Sequence, residues 1–361
     1  MNRNANSQSA GQMIGLINGQ QVVGLDITKS VFQLHSVDMG TGEIVNMQLK
    51  RAKVLEYFAN HQPCLIGIEA CGGAHHWARE LQALGHSVRL IHAKAVRPFV
   101  SGNKTDATDA RAIWLAVQQP GTKFVGIKSE EQQATLVLHR QRELLMKMRV
   151  MQTNALRGLL YEFGATFGRG KNALFSEIEA ALETLLAKNS LPQYVADSLR
   201  EQVGRIKALD QDIKSIEQRL QERLKSNAQM KRIAHIPGVG LLTATAAIAT
   251  MGEASAFKSG REFCAWLGLV PRQSGTGGKV KLLGISKRGD TYLRTLLIHG
   301  ARSVLSHSKE PVPWLEQLQQ RRPTNVVIVA QAAKMARTIW AVTAKEQNYQ
   351  RGYQSTRPQT A

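Results

Sequence analysis

The sequence predicts a mixed α/β domain at its N-terminus, a long helical segment in its middle and a mainly α-helical, basic domain at its C-terminus. Three observations carry this. Three β-rich runs separated by turn-length gaps precede strands that alternate with helices; apolar residues then keep helical spacing through two long stretches; and from Lys231 the composition shifts to glycine and basic residues.

Residues 1–20 read as a flexible polar leader. QVVGLD is a short apolar run ending in an acid, and with the β-rich runs VFQLHSV and EIVNMQL, separated by turn-length gaps, it forms a strand meander. A helix near Ala52–Asn60 follows, then a buried strand CLIGIE, a helix from about Ala74 to Leu84, the strand SVRLIHA and a helix from about Thr105 to Val117. His75, His76 and Trp77 stand at the start of the second of these helices, with no metal-ligand spacing to another acid or cysteine. The order β-β-β-α-β-α-β-α implies a mixed sheet with helices packed on it, and it is the element order of the ribonuclease H-like fold. This domain is expected over residues 21–125.

Residues 126–230 are expected to form a helical hairpin or coiled-coil arm. Ser129 followed by Gln132 is a capping box, and Leu145, Met148, Ala155, Leu159 and Phe163 keep helical spacing behind it. A second stripe runs from Leu199 through Val203, Ile206, Leu209, Ile213, Ile216 and Leu220 to Leu224. Such a stripe needs a partner helix, on the same chain or on a second copy. Residues 231–345 follow as the basic domain, in which IPGVGLLTATAAIA reads as a tight turn leading into an apolar helix, like half of a helix-hairpin-helix element or as a plain turn between core helices. A helix is expected from about Ala332, and residues 346–361 read as a flexible tail.

Composition narrows the function. The chain has 361 residues with 47 Lys and Arg against 27 Asp and Glu, a net charge of +20. Residues 231–361 hold 19 of the basic and 6 of the acidic side chains, so most of the excess sits there. A folded chain so charged calls for a polyanionic partner, nucleic acid first, docked mainly on the C-terminal domain. No run of the roughly 20 apolar residues of a membrane span is legible, and the start MNRNANSQSAGQ lacks the regions of a signal peptide, so a cytoplasmic protein without a membrane partner is expected. Cys64, Cys71 and Cys264 match neither a zinc nor a disulfide pattern and read as reduced packing residues.

Four acids stand out. Asp26 closes the first strand run, Glu69 closes the fourth in GIEACGG, and Asp106 and Asp109 lie three apart in KTDATDA at a helix start. Carboxylates brought together repel unless a cation lies between them, and hard oxygen donors suit Mg²⁺, with Mn²⁺ as the alternative. Singly, each has a structural reading as a cap, turn or solvated residue; as a set they point to phosphodiester chemistry.

On these residues the sequence resembles the DEDD transposases of bacterial insertion sequences and the Piv-like DNA invertases, whose N-terminal domain is RuvC-like. The matching positions are Asp26 in GLDITKS, Glu69 in IEACGG, and Asp106 and Asp109 in KTDATDA. The block from IPGVG through FCAWLGLVPRQSGTGGKVKLLGISKRGDTYLRTLL is similar too, so that the likeness runs from about Val22 to about Thr343. It implies a bacterial, DNA-associated transposase or site-specific recombinase that cuts and rejoins double-stranded DNA at element ends and target. It further implies the four acids as metal ligands, Ser274 as nucleophile, a non-coding bridge RNA as guide, and a dimer or tetramer. Nothing in PRQSGTGG supplies a base for Ser274, so an activating group has to come from elsewhere, such as the acid-bound metal of the first domain or of another subunit. Arg272, Lys279, Lys281, Lys287, Arg288 and Arg294 form a basic cluster around it, expected to hold DNA phosphates. Two other readings stay open: a RuvC-like hydrolytic nuclease or junction resolvase with water as nucleophile, and a nucleic-acid-binding scaffold with an inactive metal site.

Overall fold

The computed structural model describes residues 16–17, 20–38, 40–103, 105–277, 279–308 and 313–353. Most of the expected leader and the end of the expected tail, 354–361, lie outside the described residues. The chain divides into two compact units, Met1–Glu130 and Glu131–Ala361.

The first unit contains β1 (Leu16–Ile17), β2 (Gln20–Asp26), β3 (Val31–Val37), β4 (Ile44–Lys50), α1 (Val54–Ala59), β5 (Leu65–Glu69), α2 (Ala74–Ala83), β6 (Ser87–Ile91), α3 (Ala93–Val96), α4 (Asp106–Gln118) and β7 (Phe124–Val125). The strand order is β4-β3-β2-β5-β6-β7, with β1 beside β2. Strands β4, β3 and β2 are antiparallel, β2, β5 and β6 are parallel, and β7 returns antiparallel at the edge. The meander and the alternating strands and helices are thus where the sequence puts them. The short elements β1, α3 and β7 are additions, too brief to leave a periodic signal.

Strand alternation sorts the sheet into two faces. Val23 and Leu25 of β2, Ile66 and Ile68 of β5, and Val88 and Leu90 of β6 share a core with Phe58 of α1 and Trp77 and Leu81 of α2. Their neighbours Val22, Leu65 and Ile91 share a second core with Ile113, Trp114 and Val117 of α4. Helix α4 approaches this face closely: a β-carbon on Gly24 would lie 2.2 Å from the Ala110 carbonyl oxygen, and one on Gly67 2.9 Å from Cβ of Val117. The Trp114 indole N–H donates to the Val22 carbonyl at 3.1 Å. Since Trp114 meets Val22 and Ala110 meets Gly24, α4 runs against the direction of β2, with its first turn toward the strand end that carries Asp26.

In the second unit, α5 (Glu130–Tyr161) begins directly after Ser129, α6 spans Lys171–Ala187 and α7 spans Gln193–Ser226. The sequence predicts two helices here and the structure has three. Leu174, Ile178, Leu182 and Leu185 of α6 pack with Leu156 and Leu160 of α5 and Leu199 and Ile206 of α7, closing a small core at that end of the arm. Helices α5 and α7 have 32 and 34 residues, about 50 Å each at 1.5 Å per residue. They are cross-linked by Arg142–Glu217 at 2.7 Å and by Asp210, which takes both Arg149 at 2.9 Å and Lys171 at 2.5 Å. Val137, Leu144, Met148, Met151 and Leu159 of α5 stay exposed.

The remaining elements are α8 (Ala228–Ala234), α9 (Leu241–Met251), α10 (Gly260–Trp266), β8 (Pro271–Thr276), β9 (Lys279–Ile285), α11 (Thr291–His307), α12 (Pro313–Arg321) and α13 (Thr324–Ala344). The Pro-Gly-Val-Gly turn joins α8 to α9 as expected and packs on α11, where a β-carbon on Gly238 would meet the Gly300 carbonyl at 2.7 Å. The final helix starts at Thr324, earlier than its sequence start near Ala332. It is long and apolar enough to cross a membrane by length and composition. Its Val327 is buried, and Ile328, Ala332, Met335, Ala336 and Ile339 lie in the core of this unit.

His139 ties α5 to this core. Its Nδ1 lies 3.0 Å from the Tyr292 hydroxyl and its Nε2 3.0 Å from Thr245 Oγ1. Because Thr245 donates its own hydroxyl to the Leu241 carbonyl at 2.8 Å, it accepts from Nε2–H, and Tyr292 donates to Nδ1. Burial, then the nearby Arg142 charge, pushes the His139 pKa down to about 4.

Cys64 and Cys264 are buried free thiols, as expected, but Cys71 is exposed and is no packing residue.

Candidate functional site

Asp26 and Glu69 occupy the carboxyl ends of β2 and β5, adjacent parallel strands whose last register pair is Leu25 with Ile68. Each follows by two residues a glycine that lies under α4, so both carboxylates belong to the α4 face. Both are half-buried. The Cys71 thiol reports on them: partial burial of its sulfur, then the Glu69 charge, then the Asp26 charge push its pKa upward. Both carboxylates are therefore within electrostatic reach of one point.

Asp106 and Asp109 lie in the first turn of α4. The cap itself is Thr105, whose Oγ1 accepts from the Thr108 amide at 3.2 Å while Thr108 Oγ1 accepts from the Thr105 amide at 3.0 Å. The aspartates are thus free of capping duty, and a helix N-terminus favours their charge. Asp106 is exposed and Asp109 half-buried. Among the described residues, no three His, Cys, Asp or Glu side chains are gathered closely enough to hold a metal ion. The pair on the strand ends still fits a Mg²⁺-like cation, which binds through one or two carboxylates and keeps waters and substrate phosphate as its other ligands.

Ser274 lies on an exposed two-stranded hairpin that the expected mainly helical domain did not include. It pairs with Lys281, and Thr276 pairs with Lys279. Residues opposite one another share a face, so Ser274 stands among Thr276, Lys279 and Lys281, while Gln273, Gly275, Val280 and Leu282 take the other side. Arg272, Lys279, Lys281, Lys287 and Arg288 are all exposed.

Arg294 departs from its expected place among the phosphate contacts. It is only 7% exposed. One guanidinium nitrogen donates to the Leu267 carbonyl at 2.9 Å and the Arg288 carbonyl at 2.8 Å, and the other to Thr291 Oγ1 at 3.1 Å. Leu267 precedes β8 and Arg288 follows β9, so Arg294 clamps both roots of the hairpin that carries Ser274. The Ser286 amide to the Val270 carbonyl at 2.8 Å and the Lys287 amide to the Gly268 carbonyl at 3.1 Å complete the root.

Residues 23–164 match a family model described as Transposase, of the DEDD IS110 type, which sets the class as a DNA transposase. Residues 230–314 match a second model, Transposase IS116/IS110/IS902 family. A probable family 20 transposase of Pseudomonas aeruginosa is 45% identical over 335 residues, covering 91% of this chain and 98% of that protein. The transposase for insertion sequence element IS1111A of Coxiella burnetii is 38% identical, covering 92% of each chain. The transposase for IS1328 of Yersinia enterocolitica is 36% identical, covering 90% of this chain and 97% of that one. The chain belongs to the IS116/IS110/IS902 family of insertion-sequence transposases, enzymes that cleave and rejoin DNA.

Proposed function

We propose that this transposase cuts and reseals DNA through Ser274, with a divalent cation, Mg²⁺ or Mn²⁺, held by Asp26 and Glu69, and that Asp106 and Asp109, not gathered with them in this structure, close on it when it binds. The observation that carries the reading is the pairing of Asp26 and Glu69 on adjacent strand ends under the acidic first turn of α4. In this reading the first unit is a ribonuclease H-like, RuvC-like domain, which its strand order supports. The cation, when bound, supplies positive charge to the phosphate oxygens and favours ionisation of an attacking hydroxyl.

Ser274 Oγ attacks the phosphorus of a DNA phosphodiester. As the Oγ–P bond forms, one P–O bond to sugar breaks, and the serine proton leaves while the departing sugar oxygen takes one up. A hydroxyl of the exchanged strand then attacks the phosphoserine, releases Ser274 and reseals the DNA. The chain conserves bond energy this way and needs no nucleotide cofactor. Lys279 and Lys281, on the serine's own hairpin face, neutralise the phosphate in the ground and transition states. Arg272, Lys287 and Arg288 hold neighbouring phosphates.

The element's own non-coding RNA acts as guide by pairing with donor and target DNA, and the protein works as a dimer or tetramer. The exposed apolar residues along α5 support self-association.

Purified wild type and Ser274→Ala, each with Mg²⁺, element-end DNA and co-purified RNA, are compared on denaturing gels. A slow protein–DNA adduct formed by wild type and absent from the variant is expected. Equal nicking by both proteins, without adduct, would replace this reading with water-driven hydrolysis. Loss of adduct after ribonuclease treatment tests the guide RNA.

A further inference from the structure

The first unit carries a second cluster of charge, of the opposite sign to the acids. Lys29 and Ser30 of the β2–β3 turn, Lys50 and Arg51 at the end of β4, and His76 of α2 line an open cavity of about 750 Å³. Its apolar lining is Val31, Ala52, Leu55 and Trp77, and no carboxylate lines it. Lys29, Lys50 and Arg51 form no ion pair among the described residues. The Arg51 amide donates to the Ser30 carbonyl at 2.9 Å, which joins the two sides of the rim.

Two features make this more than scattered surface lysines. The Arg51 guanidinium carbon sits 5.0 Å from the Trp77 ring centroid and 5.9 Å from that of Phe32, so a side chain that is otherwise mobile is held in place over the floor. Trp77 is 5% exposed, and its indole N–H has no hydrogen-bond partner among the described residues. A cationic rim with an oriented guanidinium above an apolar floor suits one chemistry, a phosphodiester with its sugar and base.

The position says which strand. Lys29 follows Asp26 by three residues, at most about 10 Å of chain. Trp77 belongs to the core on the α1 and α2 side, whereas Asp26 belongs to the α4 side, so cavity and acids share one end of the sheet across its two faces. We propose that this cavity binds the DNA strand next to the phosphodiester that is cut, holding a flanking phosphate on Lys29, Lys50 and Arg51 and its nucleoside against Leu55 and the outer face of the Arg51 guanidinium that covers Trp77. The site rests on the DNA-cutting reading above and assigns how the strand is led past the acids: the flanking nucleotide sets its register, and the acids act on the phosphate beyond it.

The test is binding of full-length protein to duplex DNA of the element end, measured over a salt series. A Lys29→Ala, Lys50→Ala, Arg51→Ala variant is expected to bind at least tenfold more weakly, with a salt slope shallower by about 2.7, since each of the three lost phosphate contacts removes about 0.9. Arg51→Lys keeps the charge and loses the planar stack, so it is expected to keep the wild-type slope while binding more weakly. Should the triple variant fail to fold, as thermal unfolding would reveal, Lys29→Ala with Lys50→Ala alters only exposed side chains and is expected to lower the slope by about 1 to 2. Wild-type affinity and slope in the folded variants would overturn the site. The serine adduct is read separately on wild type, so loss of this site and loss of the Ser274 mechanism give different results.

Discussion

Gly24 faces the Ala110 carbonyl so closely that a β-carbon would stand 2.2 Å from its oxygen. Only the missing side chain lets α4 settle on β2, and that contact carries Asp109 toward the strand end of Asp26. Gly24→Ala is therefore expected to push the helix outward and to cost about 1–3 kcal/mol of stability. Strand cleavage should fall at least tenfold while binding to DNA changes little. Thermal unfolding, gel cleavage and equilibrium binding on one preparation check all three.

Arg294 makes a second separable case. A lysine keeps its charge but cannot bridge the Leu267 and Arg288 carbonyls and the Thr291 hydroxyl together. Arg294→Lys is expected to lower stability by about 1–3 kcal/mol. Adduct formation through Ser274 should weaken with it. In Arg294→Gln, which removes the charge, the salt slope of DNA binding should stay at the wild-type value, because the guanidinium is buried against carbonyls; a slope lower by about 1 would mark it as a phosphate contact.

His139 gives the second unit a pH limit. Its folded value of about 4 lies below the ordinary 6.5, so the buried neutral ring stabilises the fold fully above about pH 6.5. That contribution is lost as pH falls through the window from 6.5 to 4, up to about 3 kcal/mol at the bottom. His139→Gln is expected to unfold at a lower temperature at pH 7.5 and to show a flatter pH dependence between 7 and 4. Melting curves over that range decide it; parallel curves would mean that the histidine is not the titrating group.

The outward face of α5 can be tested by charge. Leu144 and Met151 are 57% and 63% exposed and lie seven residues apart, so they share a side of the helix. Leu144→Glu with Met151→Glu replaces none of the α5 residues that form ion pairs with α7. The expected outcome is a smaller assembly by sedimentation with an unchanged melting temperature. An unchanged mass would remove α5 as the contact between copies.

Much of the first unit could be read from its pattern. Each of the main strands is long enough to show alternation, and Asp26 and Glu69 sit where a strand run stops. A mixed sheet followed from element order, but the side of the sheet that carries the acids did not: only Gly24 and Gly67, small enough to admit α4, reveal that both acids face it. The hairpin of Ser274 carried a signal, Gly-Thr-Gly-Gly between two short runs, which its basic residues outweighed. Helix α6 was hidden because its apolar residues fill a gap between two longer stripes. Arg294 could not be told from its basic neighbours, since burial is a property of the packed helix and not of the residue type. The cavity of Lys29, Lys50, Arg51 and Trp77 draws on the β2–β3 turn, the end of β4 and α2, and has no spacing to find.

The root of the hairpin also fixes how far Ser274 can stray. Four residues separate Val270 from Ser274, about 13 Å of extended strand. A tilt of about 10° at the root would swing the hydroxyl by about 2 Å, several times the roughly 0.5 Å that productive chemistry tolerates. The hairpin is a lever whose short arm is a handful of hydrogen bonds. If Ser274 attacks as proposed, its aim is governed by the fulcrum, and a ligand that loosened the Leu267–Arg288 neighbourhood would misdirect it without touching it.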